Sequence, residues 1–358
     1  MEQGYQMTVN RLPSPTWNWL HMNESSLSDM KPVNRGVSLT VQVPEGIAYS
    51  CARRTMQFIS GGMGPDMDRL LDDAGADAHV LAAREGWRQE KPVFLHMDYE
   101  EHANGIHAVE IVAPKDSSVT VVMDLTSRSE TGAAAVQIKM HAGKHTKIRL
   151  IQIQLLGDRF LHLNDVGAEC EQGGSVEVLQ LILGAERTYS GCLANLAGEK
   201  SSAAMNVGYL GQNRQRIDLN YAANHRGIQS ESRMRAHGVL RGEAFKLFRG
   251  TIDFQRGASD AIGEETEDVL LLDDTVVNQT IPLILCGEEN VQGNHGATIG
   301  KLDEDMLFYL CARGLTKEAA VNQVARARFD ALNREIPSKT AQALVNDYLK
   351  GVFGDGME

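Results

Sequence analysis

The sequence predicts a mainly β chain, a stack of short strands that ends in a small helical unit. Three observations lead there. From about residue 92 to 300, apolar alternation recurs roughly every 10–14 residues, with no helical stretch between. The joints between these strands are not built as the Asn-Gly and Asp-Gly pairs of two-residue hairpins. After Gly300 the apolar period changes to that of a helix. Regular strand spacing also suits a sandwich or a barrel. The unbroken run of roughly 200 residues favours a solenoid, in which each coil buries its apolar face on the next.

Taken in order, residues 1–36 hold Pro13, Pro15, Trp17 and Trp19 without a clear period and read as an extended or partly helical lead-in. "SLTVQV" (Ser38 to Val43) alternates as a strand. Gly61, Gly62 and Gly64 form a flexible turn before Met67, Leu70, Leu71 and Ala74 at helical spacing. That turn lacks the Lys-Ser/Thr of a phosphate loop, and the acids after it repel anions, so it is a plain connector. The lead-in, with mixed strand and helix, is placed at 1–90, the β core at 91–300 and the helical domain at 301–358. In the core, "KIRLIQIQLLG" changes phase at Leu150–Ile151, which predicts a bulge or bend. In the helical domain Met306, Leu307, Leu310 and Cys311 share a face that Gly314 ends. Thr316 is the next N-cap, Ala320, Val324 and Ala327 or Arg328 mark the second helix, and Pro337 stands at the start of a third.

Composition narrows the function. Lys plus Arg number 35 against 47 for Asp plus Glu, a net charge of -12. This disfavours a duplex nucleic-acid partner. No window approaches the roughly 20 apolar residues of a membrane span, so no membrane partner is expected. Residues 1–30 show no basic stretch followed by an apolar run, so no targeting signal and a cytoplasmic location are expected. The cysteines are Cys51, Cys170, Cys192, Cys286 and Cys311, an odd set without CxxC spacing. They read as small buried apolar residues in a reducing compartment.

Several residues are candidates for chemistry. His295, between Asn294 and Gly296, is either an exposed titrating group or a structural histidine at the β-to-α junction. Asp303, Glu304 and Asp305 fit the acids that a first helical turn favours. Glu264, Glu265, Glu267, Asp268, Asp273 and Asp274 do not match a calcium loop and read as a solvated acidic turn, with a docking patch as the alternative. His141 and His145 are four apart but lie in a Gly-containing turn with no third ligand, and His225 and His237 read as wall or core residues.

"YLGQNRQRIDLNYAANH" (Tyr209 to His225), "GVLRGEAFKLFRGTI" (Gly238 to Ile252) and "HGATIGKLDEDMLFYLCARGL" (His295 to Leu315) are more specific together than apart. In order and spacing they resemble the SufB/SufD family of iron–sulfur cluster assembly proteins, from Leu196 to about Phe329. The lone His-Gly-Ala-Thr form is most similar to SufD. Gly293 stands where the SufD pattern often has Cys, "GEETEDV" (Gly263 to Val269) replaces Gly-Tyr-Gln-x-Asn-Arg-Asn, and His237 replaces Lys.

The resemblance implies a right-handed parallel β-helix followed by a small helical domain. It implies a non-catalytic scaffold subunit of a SufB–SufC–SufD complex. A SufC-like ABC ATPase would dock on the helical domain, with Leu307, Phe308, Leu310 and Leu315 as candidates, and would hydrolyse the ATP. A SufB-like chain would pair through its β-helix. His295 would contribute at the interface where a transient iron–sulfur cluster forms, and as the metal ligand. No stably bound cofactor is expected: the family complex has been associated with reduced flavin, but no flavin fingerprint is present. Two alternatives stand beside this reading: a homodimeric scaffold without SufB, and a β-helix polysaccharide enzyme with paired carboxylates.

Overall fold

A computed structural model describes residues 5–354. The chain begins with β1 (Met7–Val9), a 3-10 turn at Asn18–Leu20, and β2 (Ser25–Leu27), which is antiparallel to β1. Next come β3 (Arg35–Gln42), β4 (Ile47–Ala52), α1 (Pro65–Asp73) and β5 (Ala78–Ala83). Fourteen strands follow: β6 (Val93–Ala113), β7 (Ser118–Ser127), β8 (Thr131–Ala142), β9 (Lys147–Leu155), β10 (Arg159–Cys170), β11 (Ser175–Ile182), β12 (Arg187–Leu196), β13 (Ser202–Gly211), β14 (Arg216–His225), β15 (Glu231–Leu240), β16 (Phe245–Phe254), β17 (Ala261–Leu271), β18 (Val277–Cys286) and β19 (Val291–Gly300). Helices α2 (Glu304–Ala312), α3 (Lys317–Asn333) and α4 (Lys339–Phe353) close the chain.

From β6 to β17 each strand pairs in parallel with the strand two places later in sequence. Arg187 lies in register with Arg216, and Arg216 with Phe245. Successive strands therefore build two walls, and identical positions of successive coils stack into columns. This is a parallel β-solenoid. Non-local parallel pairing of this kind needs no hairpin turn. The Asn-Gly pair of this region, Asn104-Gly105, lies inside β6 and turns nothing back.

The walls enclose one apolar core, with Val121, Ile138, Leu150, Val178, Leu219 and Phe248 among its members. Period-2 alternation sends the neighbours of these residues outward. No bulge accompanies the phase change at Leu150–Ile151. β9 keeps unbroken register with β7 and β11. Leu150 faces the core, whereas Ile151 and Ile153 face out beneath the helices. The apolar pattern changes sides because the outer face is covered there, while Gln152 and Gln154 take the inner places. Gln152 donates to Asn164 at 2.8 Å and accepts from Gln180 at 2.8 Å, and Gln154 Oε1 accepts from Gly184 N–H at 2.7 Å, while Gln154 Nε2 has no partner.

The helices are held by that outer apolar face. Phe329 and Leu332 of α3, and Val345, Leu349 and Phe353 of α4, pack on Ile151, Ile153, Leu181 and Leu210. The buried line of α3 runs through Ala325, Phe329 and Leu332, one position on from the expected Val324. Thr316 and Ser338 cap α3 and α4 through Ala319 N–H and Ala341 N–H. Pro337 thus precedes the third helix instead of opening it, because the hydroxyl of Ser338 takes the cap. On another outer face the N-terminal segment is pinned by buried Asp218, which receives Asn10 at 2.8 Å, Ser25 at 2.5 Å and Arg249 at 2.5 Å. The Gly61–Gly62 connector is also pinned: Gly62 donates to Val166 O, and Asn220 donates to Gly62 O at 2.7 Å. Its glycines serve close approach, since a Cβ on Gly62 would meet the Cys192 backbone at 2.1 Å. No helix among the described residues is long and apolar enough to cross a membrane.

Candidate functional site

The solenoid ends in an uncapped coil. β18 rests on β16 and β19 on β17, and among the described residues no strand stacks on either from beyond. Every residue of β19 after Val291 is exposed. His295 sits in the middle of this edge, in register with Glu265 of β17. The column continues inward through Met234 and Met205, both core residues. Parity therefore puts His295 on the interior side of its strand, at the open mouth of the stack.

Below that mouth lies a charged cluster that the reading of 263–274 as a solvated turn did not anticipate. Residues 261–271 form a strand, so alternate acids take opposite fates. Glu264 is paired on the surface with Arg233 at 3.2 Å, and Asp268 with Arg328 at 2.7 Å. Glu265 and Glu267 point inward and are 3% and 2% exposed. Only Asp273 and Asp274 fall in the following turn.

Glu267 is fully occupied. It pairs with the buried ammonium of Lys246, accepts from Tyr209 OH at 3.1 Å, and accepts from Thr280 at 2.5 Å. Lys246 also donates to Gln279 O at 3.1 Å and Thr280 Oγ1 at 3.0 Å. Gly238 makes room for this arrangement, since a Cβ there would lie 2.2 Å from the Tyr209 ring. Burial lowers the Lys246 pKa against the opposing pull of Glu267. Glu265 is different: its Oε2 has no partner. Burial, and secondarily the Glu267 charge, push its pKa from 4.5 up to about 8.

Other candidates are dispersed. Gly293 shares the interior side with His295, and a Cβ there would meet the Phe254 ring at 3.0 Å. Leu307, Leu310 and Leu315 are half-buried, while Phe308 is 76% exposed, and α2 has no buried residue. Asp303 caps α2 through Asp305 N–H at 3.0 Å, which is a structural role. His141 pairs with Glu171 at 3.3 Å at the end of β8, and His145 lies in the next turn with φ 55°. No group of three metal-ligating side chains occurs among the described residues. His225 is a core residue bonded to Ser230 and Ser232, each at 2.8 Å. Cys170 and Cys192 are buried as expected, and burial pushes both thiols up. Cys51 and Cys286 are exposed, contrary to the buried expectation, because each lies on a strand at an end of the stack.

The inward acids and their partners were the residues missed at sequence level. Their signal was the alternation Gly263, Glu265, Glu267, Val269, which continues the apolar phase with charge in place of hydrocarbon.

Comparison with known proteins agrees with this architecture. Residues 96–328 match the family described as SUF system FeS cluster assembly, SufBD core domain. An iron–sulfur cluster assembly SufBD family protein of Mycobacterium tuberculosis is 24% identical over 307 residues, 84% of this chain and 34% of the relative. The iron–sulfur cluster assembly protein SufD of Bacillus subtilis is 27% identical over 232 residues, 64% of this chain and 53% of the relative. A SufBD family protein of Staphylococcus epidermidis is 25% identical over 253 residues, 68% of this chain and 54% of the relative. The chain thus spans about a third of the mycobacterial relative and about half of the other two. With the core-domain match covering most of a parallel β-solenoid, the chain belongs to the SufBD family of iron–sulfur cluster assembly proteins.

Proposed function

We propose that this chain is a SufD-like scaffold subunit that works with a SufB-like partner and a SufC-like ABC ATPase. The observation that carries the reading is the bare terminal coil with His295 at its centre. An unpaired strand edge is a template for another chain. A neutral imidazole on that edge is a suitable iron donor. The cluster is cargo, held transiently where two chains meet, and the protein keeps no resident cofactor. Its place of work is the cytoplasm.

The division of labour follows three segments. Residues 1–90 brace the solenoid, 91–300 form the scaffold, and 301–358 receive the ATPase. Exposed Phe308, with Leu307, Leu310 and Leu315 beside it, supplies the docking surface. ATP hydrolysis belongs to the partner, and its closure moves this subunit against the SufB-like chain.

Anaerobic reconstitution with SufB-like and SufC-like proteins tests this reading. The three chains are expected to co-purify and to gain iron and sulfide. His295→Ala is expected to keep the complex and lower bound iron and sulfide at least severalfold. Failure of the wild-type chain to join either protein would overturn the heteromeric reading. A stable dimer of this chain alone that gains iron and sulfide would establish the homodimeric scaffold instead.

A further inference from the structure

We propose that Glu265 is a metal donor set beneath His295, so that carboxylate and imidazole, one coil apart in the same interior column, hold a single Fe2+ ion on its way into a cluster. This rests on the cluster-site reading of His295 and adds a second residue of this chain to it.

The register brings the two groups together: Glu265 and His295 are direct partners across parallel β17 and β19. Adjacent strands lie about 4.8 Å apart. Carboxylate oxygen and imidazole nitrogen each bind a first-row metal ion at about 2.0–2.2 Å. Two side chains rooted one strand spacing apart are long enough to share one ion, with the Glu265 carboxyl turning towards it from its place beside Gly250.

Glu265 also lacks any structural employment. It is 3% exposed, and its Oε2 has no hydrogen-bond partner. An uncompensated buried carboxylate is costly. Lys246, the nearby cation, is taken up by Glu267, Gln279 and Thr280. Glu267, two residues along the same wall, shows what a purely structural acid looks like here. Space for the Glu265 carboxyl is provided from the opposite wall by Gly250, where a Cβ would lie 2.3 Å from the carboxyl group. The coil above Gly250 carries Pro282, which offers no N–H to the carboxyl.

The donor chemistry follows from the residues at the mouth. Gly293 provides no thiolate beside His295, so the pair is one oxygen and one nitrogen. Such a set suits Fe2+, Mn2+, Co2+ or Zn2+. The described residues hold no third ligand within reach. The remaining positions fall to water, to sulfide or to the partner chain, as suits an ion that must move on.

The test is an anaerobic titration of the full chain by itself with Co2+, followed by its visible absorption, and with Fe2+, followed by calorimetry. One ion is expected to bind per chain. Glu265→Gln and His295→Ala are each expected to weaken binding at least tenfold, with Glu265→Asp intermediate. Glu264→Gln, on the outer side of the same strand, is expected to leave it unchanged. Thermal unfolding of each variant verifies the fold. Parent-like binding by a folded Glu265→Gln protein overturns the proposal. If His295→Ala alone weakens binding, Glu265 is excluded while the reading of His295 survives. If the wild-type chain binds no ion, the pair is overturned, and reconstitution with the partners decides the function separately.

Discussion

Glu265, Glu267 and Lys246 share one buried layer, yet only two of them satisfy each other. The third is left to its environment, which holds its folded pKa at about 8 against an ordinary 4.5. The protonated form is therefore the one that the fold tolerates. Its contribution to stability is fully present below about pH 4.5 and is lost as pH rises through about 8. In that window the metal-free folded chain holds more protons than the unfolded chain, so stability declines with pH. The whole effect is on the order of a few kcal/mol. Glu265→Gln removes the ionisation, so the variant should lose less stability between pH 5 and 9 than the parent. Urea midpoints across that range measure it, and parallel pH profiles would refute the assignment. At this scale the sequence was legible only in part. A run of six acids looks solvated by composition, and period 2 alone separates the two that turn inward. His295 was legible as a residue of interest, but its exposure was not, because nothing local announces that the stack ends there.

Among the elements, α2 and α4 make opposite uses of apolar side chains. In α4, Val345, Leu349 and Phe353 are buried against the solenoid wall, and Tyr348 OH donates to Leu183 O at 2.5 Å. In α2, Met306, Phe308 and Tyr309 are exposed and no residue is buried. A short helix that hides nothing has not been kept apolar by its own fold. Leu349→Ala should cost about 2–5 kcal/mol, as deletions in packed cores do. Phe308→Ala should change stability by about 0.5 kcal/mol or less, yet weaken ATPase binding by about 2 kcal/mol if it is a docking anchor. Denaturation and binding titrations on the two variants separate the roles. Undiminished ATPase binding by Phe308→Ala would remove it from the docking surface. The helices themselves were readable from their period and from the cap Thr316, a local signal, whereas Asp303, read as a first-turn acid, is the N-cap of α2. Which helix would be buried was not, because that depends on the apolar outer positions Ile151, Leu181 and Leu210, more than a hundred residues away.

On the scale of the whole molecule, a solenoid is close to one-dimensional, and each coil is stabilised by its two neighbours. Regular strand spacing and the switch to helical period made that architecture legible. The pairing of strands two apart was not, because a stacking column such as Met205, Met234, Glu265 and His295 passes from thioether to carboxyl to imidazole and repeats no motif. The same columns predict how stability is distributed. Coils in the middle, such as β12 with β14, are supported on both sides, whereas among the described residues β18 and β19 have a neighbour on one side only. The exposed edge of β19 and the half-buried residues of β18 lose part of the burial that fixes inner coils. Local opening should therefore begin at the terminal coil. Hydrogen–deuterium exchange should show peptides covering 277–300 exchanging well before those covering 187–225. Addition of the chain that pairs with this edge should slow exchange in 291–300 by at least tenfold, because its amides gain partners and a covering layer. The helical domain should keep its rate in that experiment and be protected only when the ATPase is added. Uniform exchange along the solenoid, or protection by the pairing chain elsewhere than at β18 and β19, would show that the open coil is not the edge this protein offers.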